Sequence, residues 1–158
     1  LACNPSLLIA DEPTTALDVI VSAQVMDLIK NLRKKLDLSM LLITHDISVI
    51  AQTCDELAIM YAGKLVEKTD VPTIFKTPLH PYSNALIKAF PNIKGKKKKL
   101  SSIPGSPIDL IAPPLGCRFA PRCPFAQPLC LEDEPILDQI EKNHFVACHF
   151  WEDIQSKR

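Results

Sequence analysis

The 158 residues carry 18 basic and 18 acidic side chains, for a formal net charge of zero, and 47% of them are apolar. That length suits one ordinary domain or two small ones, and the balanced charge argues against a protein that binds nucleic acid through its overall field. The apolar runs are strand-sized, far below the ~18 residues a bilayer-crossing helix needs. Leu1-Ala2-Cys3-Asn4-Pro5 has neither the basic region nor the apolar stretch of a secretory signal, and the missing initial Met predicts a truncated or processed chain.

Leu7-Leu8-Ile9-Ala10 is a continuous apolar run. Such a run predicts a strand buried on both faces in a parallel sheet. Asp18 is placed to cap the next helix, whose Val25, Leu28, Ile29, Leu32 and Leu36 form one apolar stripe. Residues 40–44 predict a second strand of the same kind, completing a βαβ unit. A short helix at 47–52 follows, then a hairpin with strands at 57–61 and 65–67 turning at Ala62-Gly63. Helical pieces are expected at 71–75 and 83–89, the second entered through Pro81. Residues 94–99, five lysines in six, predict a solvated linker, with contact to anionic lipid as the other reading. Residues 103–114 are proline-punctuated and without period. Two parallel strands cannot cover both faces of a sheet, so the pattern predicts further strands before residue 1.

Ligands of open α/β sheets sit beyond the carboxyl ends of the strands. Both predicted parallel strands deliver polar groups there: Asp11 and Glu12 from one, His45 and Asp46 from the other. A carboxylate after an apolar strand suits Mg²⁺ carrying phosphate and water ligands. The next one is placed to polarise an attacking water. The plainer reading of such a pair is a helix cap, and of a lone histidine a satisfied structural residue.

The context favours chemistry. Leu7 to Asp18, ending Asp11-Glu12-Pro13-Thr14-Thr15-Ala16-Leu17-Asp18, resembles the Walker B segment and D-loop of ABC transporter ATPases, and Ile43-Thr44-His45-Asp46 resembles their switch-histidine segment. Residues 1–5 resemble the stretch after the family's signature helix, and residues 57–67 the hairpin closing the ATPase core. The resemblance implies that Asp11 serves Mg²⁺-ATP and Glu12 acts as general base. It also implies that His45 contacts the γ-phosphate and Asp18 communicates across an ATP-sandwich dimer. None of Gly63, Gly95, Gly105 and Gly116 lies in a G-x-x-x-x-G-K-[ST] phosphate loop. The Gln loop and signature motif are absent too, so this chain alone is expected neither to bind ATP tightly nor to hydrolyse it.

Phe75-Lys76-Thr77-Pro78-Leu79-His80-Pro81-Tyr82-Ser83 resembles the His-Pro-Tyr start of the C-terminal extension of oligopeptide and dipeptide transporter ATPases. Ile103-Pro104-Gly105-Ser106-Pro107, Gly116-Cys117-Arg118-Phe119, Pro121-Arg122-Cys123-Pro124 and Ala147-Cys148-His149 continue the likeness. Relatives that import nickel or other small solutes share this extension. For His80 the residues themselves favour a helix-end role over catalysis.

Cys117, Cys123, Cys130 and Cys148 are separated by five, six and seventeen residues. Without an export signal, a metal site is the better reading than disulfides. Four thiolates suit structural zinc or an iron–sulfur cluster, and unligated thiols are the third reading. The spacing lacks the tight pairs of zinc ribbons, and the resemblance implies a [4Fe–4S] cluster. After Leu100 the apolar residues are too few for a core of their own, so a metal would supply folding free energy. His144 and His149 are expected to be packing or surface residues.

The expected architecture is therefore α/β: a partial P-loop NTPase (ABC ATPase) parallel sheet at 1–68, a helical extension and lysine-rich linker at 69–100, and a small irregular Cys-rich extension at 101–158. The expected function is the energy-coupling ATPase of an importer for di- and oligopeptides, peripheral to the cytoplasmic face of the membrane. It would work with transmembrane permease subunits and a second ATPase subunit, in a hetero- or homodimer, without nucleic acid. A non-catalytic Fe–S or zinc module is the alternative.

Overall fold

The computed structural model describes residues 5–89 and 103–156. The lysine run at 94–99 and Cys3 lie outside the described residues. The chain divides into two compact units, residues 1–55 and residues 56–158.

In the first unit, β1 (Leu7–Asp11) and β2 (Ser39–Ile43) are parallel, joined through α1 (Val19–Leu36) and followed by α2 (Ile47–Thr53). The register pairs Leu7 with Ser39 and Asp11 with Ile43, so both strands end at the same edge. Asp18 caps α1 by accepting from the Val21 N–H at 2.8 Å, and the helix ends on Asp37 at φ 49°, a left-handed cap. Asp46 caps α2 through the Ser48 N–H at 2.8 Å.

Burial departs from the expected pattern. Side chains two apart along a strand share a face, and Leu7, Ile9, Leu41 and Ile43 lie together on a face that is open, Ile9 being 59% exposed. Ala10, on the opposite face, is buried. Burial is thus met on one face of the pair, because no described element of this unit covers the other. Along α1 the predicted stripe is likewise open at Leu28 and Leu36, and Met26 is the residue it buries.

The second unit is built on a four-stranded antiparallel sheet. β3 (Glu56–Tyr61) and β4 (Lys64–Asp70) form the hairpin; β6 (His144–Val146) pairs with β4, and β5 (Asp138–Glu141) with β6. Ala62 and Gly63 both take positive φ, 51° and 81°, the backbone a two-residue hairpin turn demands. β4 runs on to Asp70, whose carboxylate accepts from the Thr73 N–H at 2.9 Å and starts α3 (Val71–Lys76). α4 (Pro81–Ala89) follows, with Pro81 at its first position. Beyond the irregular segment at 103–116 come a 3-10 turn (Ala120–Arg122), α5 (Pro128–Glu132) and, after the sheet closes, α6 (Trp151–Ser156).

The cysteine-bearing segment does not lack a core; it shares the hairpin's. Phe119, 2% exposed, packs into a cluster with Ile59, Tyr61, Val66 and Ile74. Its ring lies 5.2 Å from that of Tyr61 and 5.3 Å from that of Tyr82. Burying one such ring contributes about 1.5–3 kcal/mol, and each aromatic pair adds about 0.5–1.5 kcal/mol. Arg122 fastens the proline-rich segment: Nε donates to Pro104 O at 2.9 Å and Nη2 to Ile103 O at 3.0 Å, with the guanidinium over the Tyr61 ring. Arg118 donates to Ala62 O at the hairpin turn. Scattered apolar residues suffice here because they insert into a sheet that already exists.

Candidate functional sites

The strand ends of the first unit gather one acid and one imidazole. β1 continues for one residue past its last pair: the Glu12 N–H donates to Ile43 O at 2.8 Å. Glu12 sits at φ 45°, in the left-handed region that non-glycine residues seldom occupy, and such positions concentrate where geometry is functional. That turn brings Glu12 Oε1 to 2.7 Å from His45 Nδ1 and 3.2 Å from the His45 backbone N–H. Oε2 accepts from Thr15 Oγ1 at 3.4 Å.

The hydrogen bond from His45 holds the Glu12 carboxyl below its usual range, and the same bond raises the His45 imidazole above its usual value. His45 remains 83% exposed at its side chain, so the ring is held by one edge and presents the rest outward. Both residues line an open cleft of about 500 Å³, together with Thr14, Thr15, Thr44 and Asp46. Asp11 and Asp18 do not line it: Asp11 is exposed at the end of β1, and Asp18 is engaged at the α1 cap. Asp46 is held low in pKa by the Ser48 hydroxyl.

The second unit contains a site that the sequence pattern does not announce. Glu67, on β4, is 0% exposed, and its carboxylate accepts from the Leu79 N–H at 2.8 Å, the His80 N–H at 2.9 Å and His144 Nε2 at 2.8 Å. An ionised carboxylate buried among three donors is satisfied as few groups in a protein interior are. One side chain thereby joins β4, the approach to α4, and β6. His144 is indeed a packing residue, but its partner lies 77 positions away. The usable signal was Glu67 itself, an acid at an inward position of an alternating strand.

His80 is 2% exposed, so the expectation of an exposed helix-end residue is corrected. It does sit at the start of α4: its carbonyl accepts from Asn84 N–H, and its ring Nδ1 accepts from Tyr82 N–H at 3.0 Å. The imidazole thus caps α4 as an Asp or Ser side chain would. Burial depresses its pKa to about 3, which keeps the ring neutral.

Cys117, Cys123, Cys130 and Cys148, scattered over 32 residues of sequence, line a single small cavity with His80 and His149. The Cys117 N–H donates to Cys130 O at 2.8 Å, and the Gly116 backbone is pressed so closely against Cys130 and Leu131 that a Cβ there would meet Cys130 O at 2.4 Å. Burial raises all three thiols that show a shift, Cys117 moderately, Cys123 to about 11 and Cys148 to about 12. All four cysteines are free. A set of thiols facing one apolar-lined space has the donor chemistry of a metal site, but among the described residues no three His, Cys, Asp or Glu form a group that could hold a single metal ion. The expectation of a metal there therefore gains the grouping of the four cysteines and not a formed ion site. His149 Nε2 is turned to Asp133 O at 3.1 Å.

Known proteins place these features. Residues 66–130 match the family described as oligopeptide/dipeptide transporter, C-terminal region. The chain is 47% identical over 154 residues to the oligopeptide transport ATP-binding protein AppD of Bacillus subtilis, covering 97% of this chain and 47% of that protein. It is 46% identical over 149 residues to the probable peptide ABC transporter ATP-binding protein y4tR of Sinorhizobium fredii, covering 94% and 44%. With the dipeptide transport ATP-binding protein DppD of Escherichia coli the identity is 42% over 150 residues, covering 95% and 46%. A solved structure of cbiO1 from Clostridium perfringens, part of the ABC transporter complex cbiONQ, is 30% identical, with a TM-score of 0.43 over 46% of this chain and 29% of that one.

The mixed α/β chain is thus similar, over nearly all its length, to ATP-binding proteins of peptide ABC transporters. It belongs to the oligopeptide/dipeptide transporter family, whose C-terminal region it carries. The chain spans about half the length of the curated relatives it matches.

Proposed function

We propose that this chain is the C-terminal portion of the energy-coupling ATPase subunit of an importer for di- and oligopeptides. The observation that carries this reading is the pairing of Glu12 with His45 at 2.7 Å across the ends of two parallel strands. In this role Glu12 orients and deprotonates the attacking water, and His45 holds Glu12 in place and meets the γ-phosphate. Asp11, at the exposed end of β1, holds Mg²⁺, and Asp18 faces a second ATPase subunit. The subunit lies on the cytoplasmic face of the membrane against permease partners. No helix among the described residues is long and apolar enough to cross a membrane, which agrees with a peripheral role. The residues of this chain include no phosphate-cradling glycine loop, so the 158-residue polypeptide alone is not expected to turn over ATP.

The test joins this chain to the N-terminal half of a relative such as AppD and measures phosphate release. Hydrolysis by the chimera that falls at least 100-fold in Glu12→Gln, with ATP binding retained, supports the reading. An equally active Glu12→Gln chimera refutes it. Turnover by the unassisted chain would overturn the expectation of inactivity. The relatives' own descriptions as ATP-binding proteins leave the non-catalytic metal module without support.

The four cysteines receive a finer reading of their own, a structural [4Fe–4S] cluster held by Cys117, Cys123, Cys130 and Cys148. It is supported by their common cavity and its apolar lining. The lack of a single-ion group among the described residues weighs against zinc, whose ligands must converge at roughly 2.3 Å. The cluster would tie the loops together in addition to the Phe119 core. Anaerobic reconstitution with iron and sulfide, followed by metal analysis and visible absorbance, decides it. A colourless protein with one zinc refutes the cluster.

A further inference from the structure

His80 is buried on the wall of the four-cysteine cavity. Its backbone N–H is fixed by Glu67 Oε2 at 2.9 Å, and its ring Nδ1 is occupied by the Tyr82 N–H. A neutral imidazole that accepts at Nδ1 must carry its proton on Nε2. No hydrogen bond from Nε2 to a described residue accompanies this arrangement, and a buried N–H without an acceptor costs about 1–3 kcal/mol. The other imidazole on the cavity wall, His149, turns its Nε2 to the Asp133 carbonyl, so it has no second N–H to give while neutral. The groups facing His80 across the cavity are sulfur atoms and apolar side chains, Phe119 among them at a ring separation of 5.8 Å.

We infer that His80 is the hydrogen-bond donor of the four-cysteine site, its Nε2–H directed to a cysteine sulfur. The tautomer is set from outside the cavity by the α4 cap, and the ring's position by Glu67. His80 is therefore a positioning and tuning residue, not a ligand. Hydrogen bonds to the sulfurs help set the potential of an iron–sulfur cluster, so the same N–H would tune a cluster bound there. That last step rests on the cluster reading, whereas the donor itself does not.

The test uses the full chain labelled with ¹⁵N at histidine. NMR of the His80 ring is expected to show a protonated Nε2 and an unprotonated Nδ1 in the metal-free protein. The Nε2 resonance is expected to move in at least one of the four single Cys→Ser variants. A ring protonated at Nδ1, or an Nε2 resonance unmoved by all four variants, overturns the inference. After reconstitution with iron and sulfide, His80→Asn, which keeps a capping oxygen for Tyr82 and removes the imidazole N–H, is expected to show a more negative midpoint potential. An unchanged potential in a folded His80→Asn protein overturns the tuning role. Iron and sulfide analysis of the wild-type chain reads the cluster assignment separately, and the ring NMR still decides the donor if no cluster forms.

Discussion

Glu67→Ala leaves two buried backbone N–H groups and one buried imidazole without their shared acceptor. Each abandoned donor costs about 1–3 kcal/mol, and removal of one partner from a buried charged pair has cost about 3–5 kcal/mol elsewhere. The three losses overlap because they share one carboxylate, so the expected destabilisation is about 3–5 kcal/mol in total. For a unit of this size that corresponds to a fall in Tm of more than roughly 12 °C. Urea unfolding followed by the fluorescence of Trp151, the single tryptophan and part of the same unit, measures it. Glu67→Gln keeps one acceptor oxygen and is expected to cost less, about 1–3 kcal/mol. An alanine variant within about 1 kcal/mol of the parent would show that water or other groups satisfy these donors, and the reasoning would be wrong.

Three further outcomes are expected. Gly116→Ala would drive a Cβ to 2.4 Å from Cys130 O and 2.6 Å from the Leu131 carbonyl carbon; because both are backbone atoms, the cost should be at the upper end of the ~1–3 kcal/mol of overpacking. Limited proteolysis should then cut near Cys117 sooner than in the parent. Asp70→Ala removes the acceptor for Thr73 N–H and Oγ1 and should cost about 0.5–2 kcal/mol, measured by the same urea titration. The Glu12–His45 pair fixes a pH window. His45 is raised, so its contribution is complete below its usual 6.5 and fades as pH rises through the folded value. Glu12 is lowered, so its contribution is complete above its usual 4.5 and fades as pH falls through the folded value. The pair is therefore strongest between those two figures, and Glu12→Gln should lower the His45 pKa in an NMR titration. An unmoved value would show that the pair does not persist in solution.

The helix caps, strand runs and hairpin turn of this protein are determined within a few residues, and they were legible. Asp18 reaches a backbone N–H three residues away, and Ala62-Gly63 supplies the two positive φ values of its own turn. The short αL excursion at Glu12, which lets one carboxylate reach His45 from the neighbouring strand, is a backbone choice that residue types do not reveal. The Glu67–His144 pair spans 77 positions, and the four cysteines meet only because Phe119 and Arg122 seat their loops against the hairpin. His80 reads as a surface cap in sequence, since capping is a local property. Its burial beside the thiols is decided by what packs over it. Local hydrogen bonds carry their own instructions, whereas burial depends on partners distant in the chain, and only the folded protein brings those partners into contact.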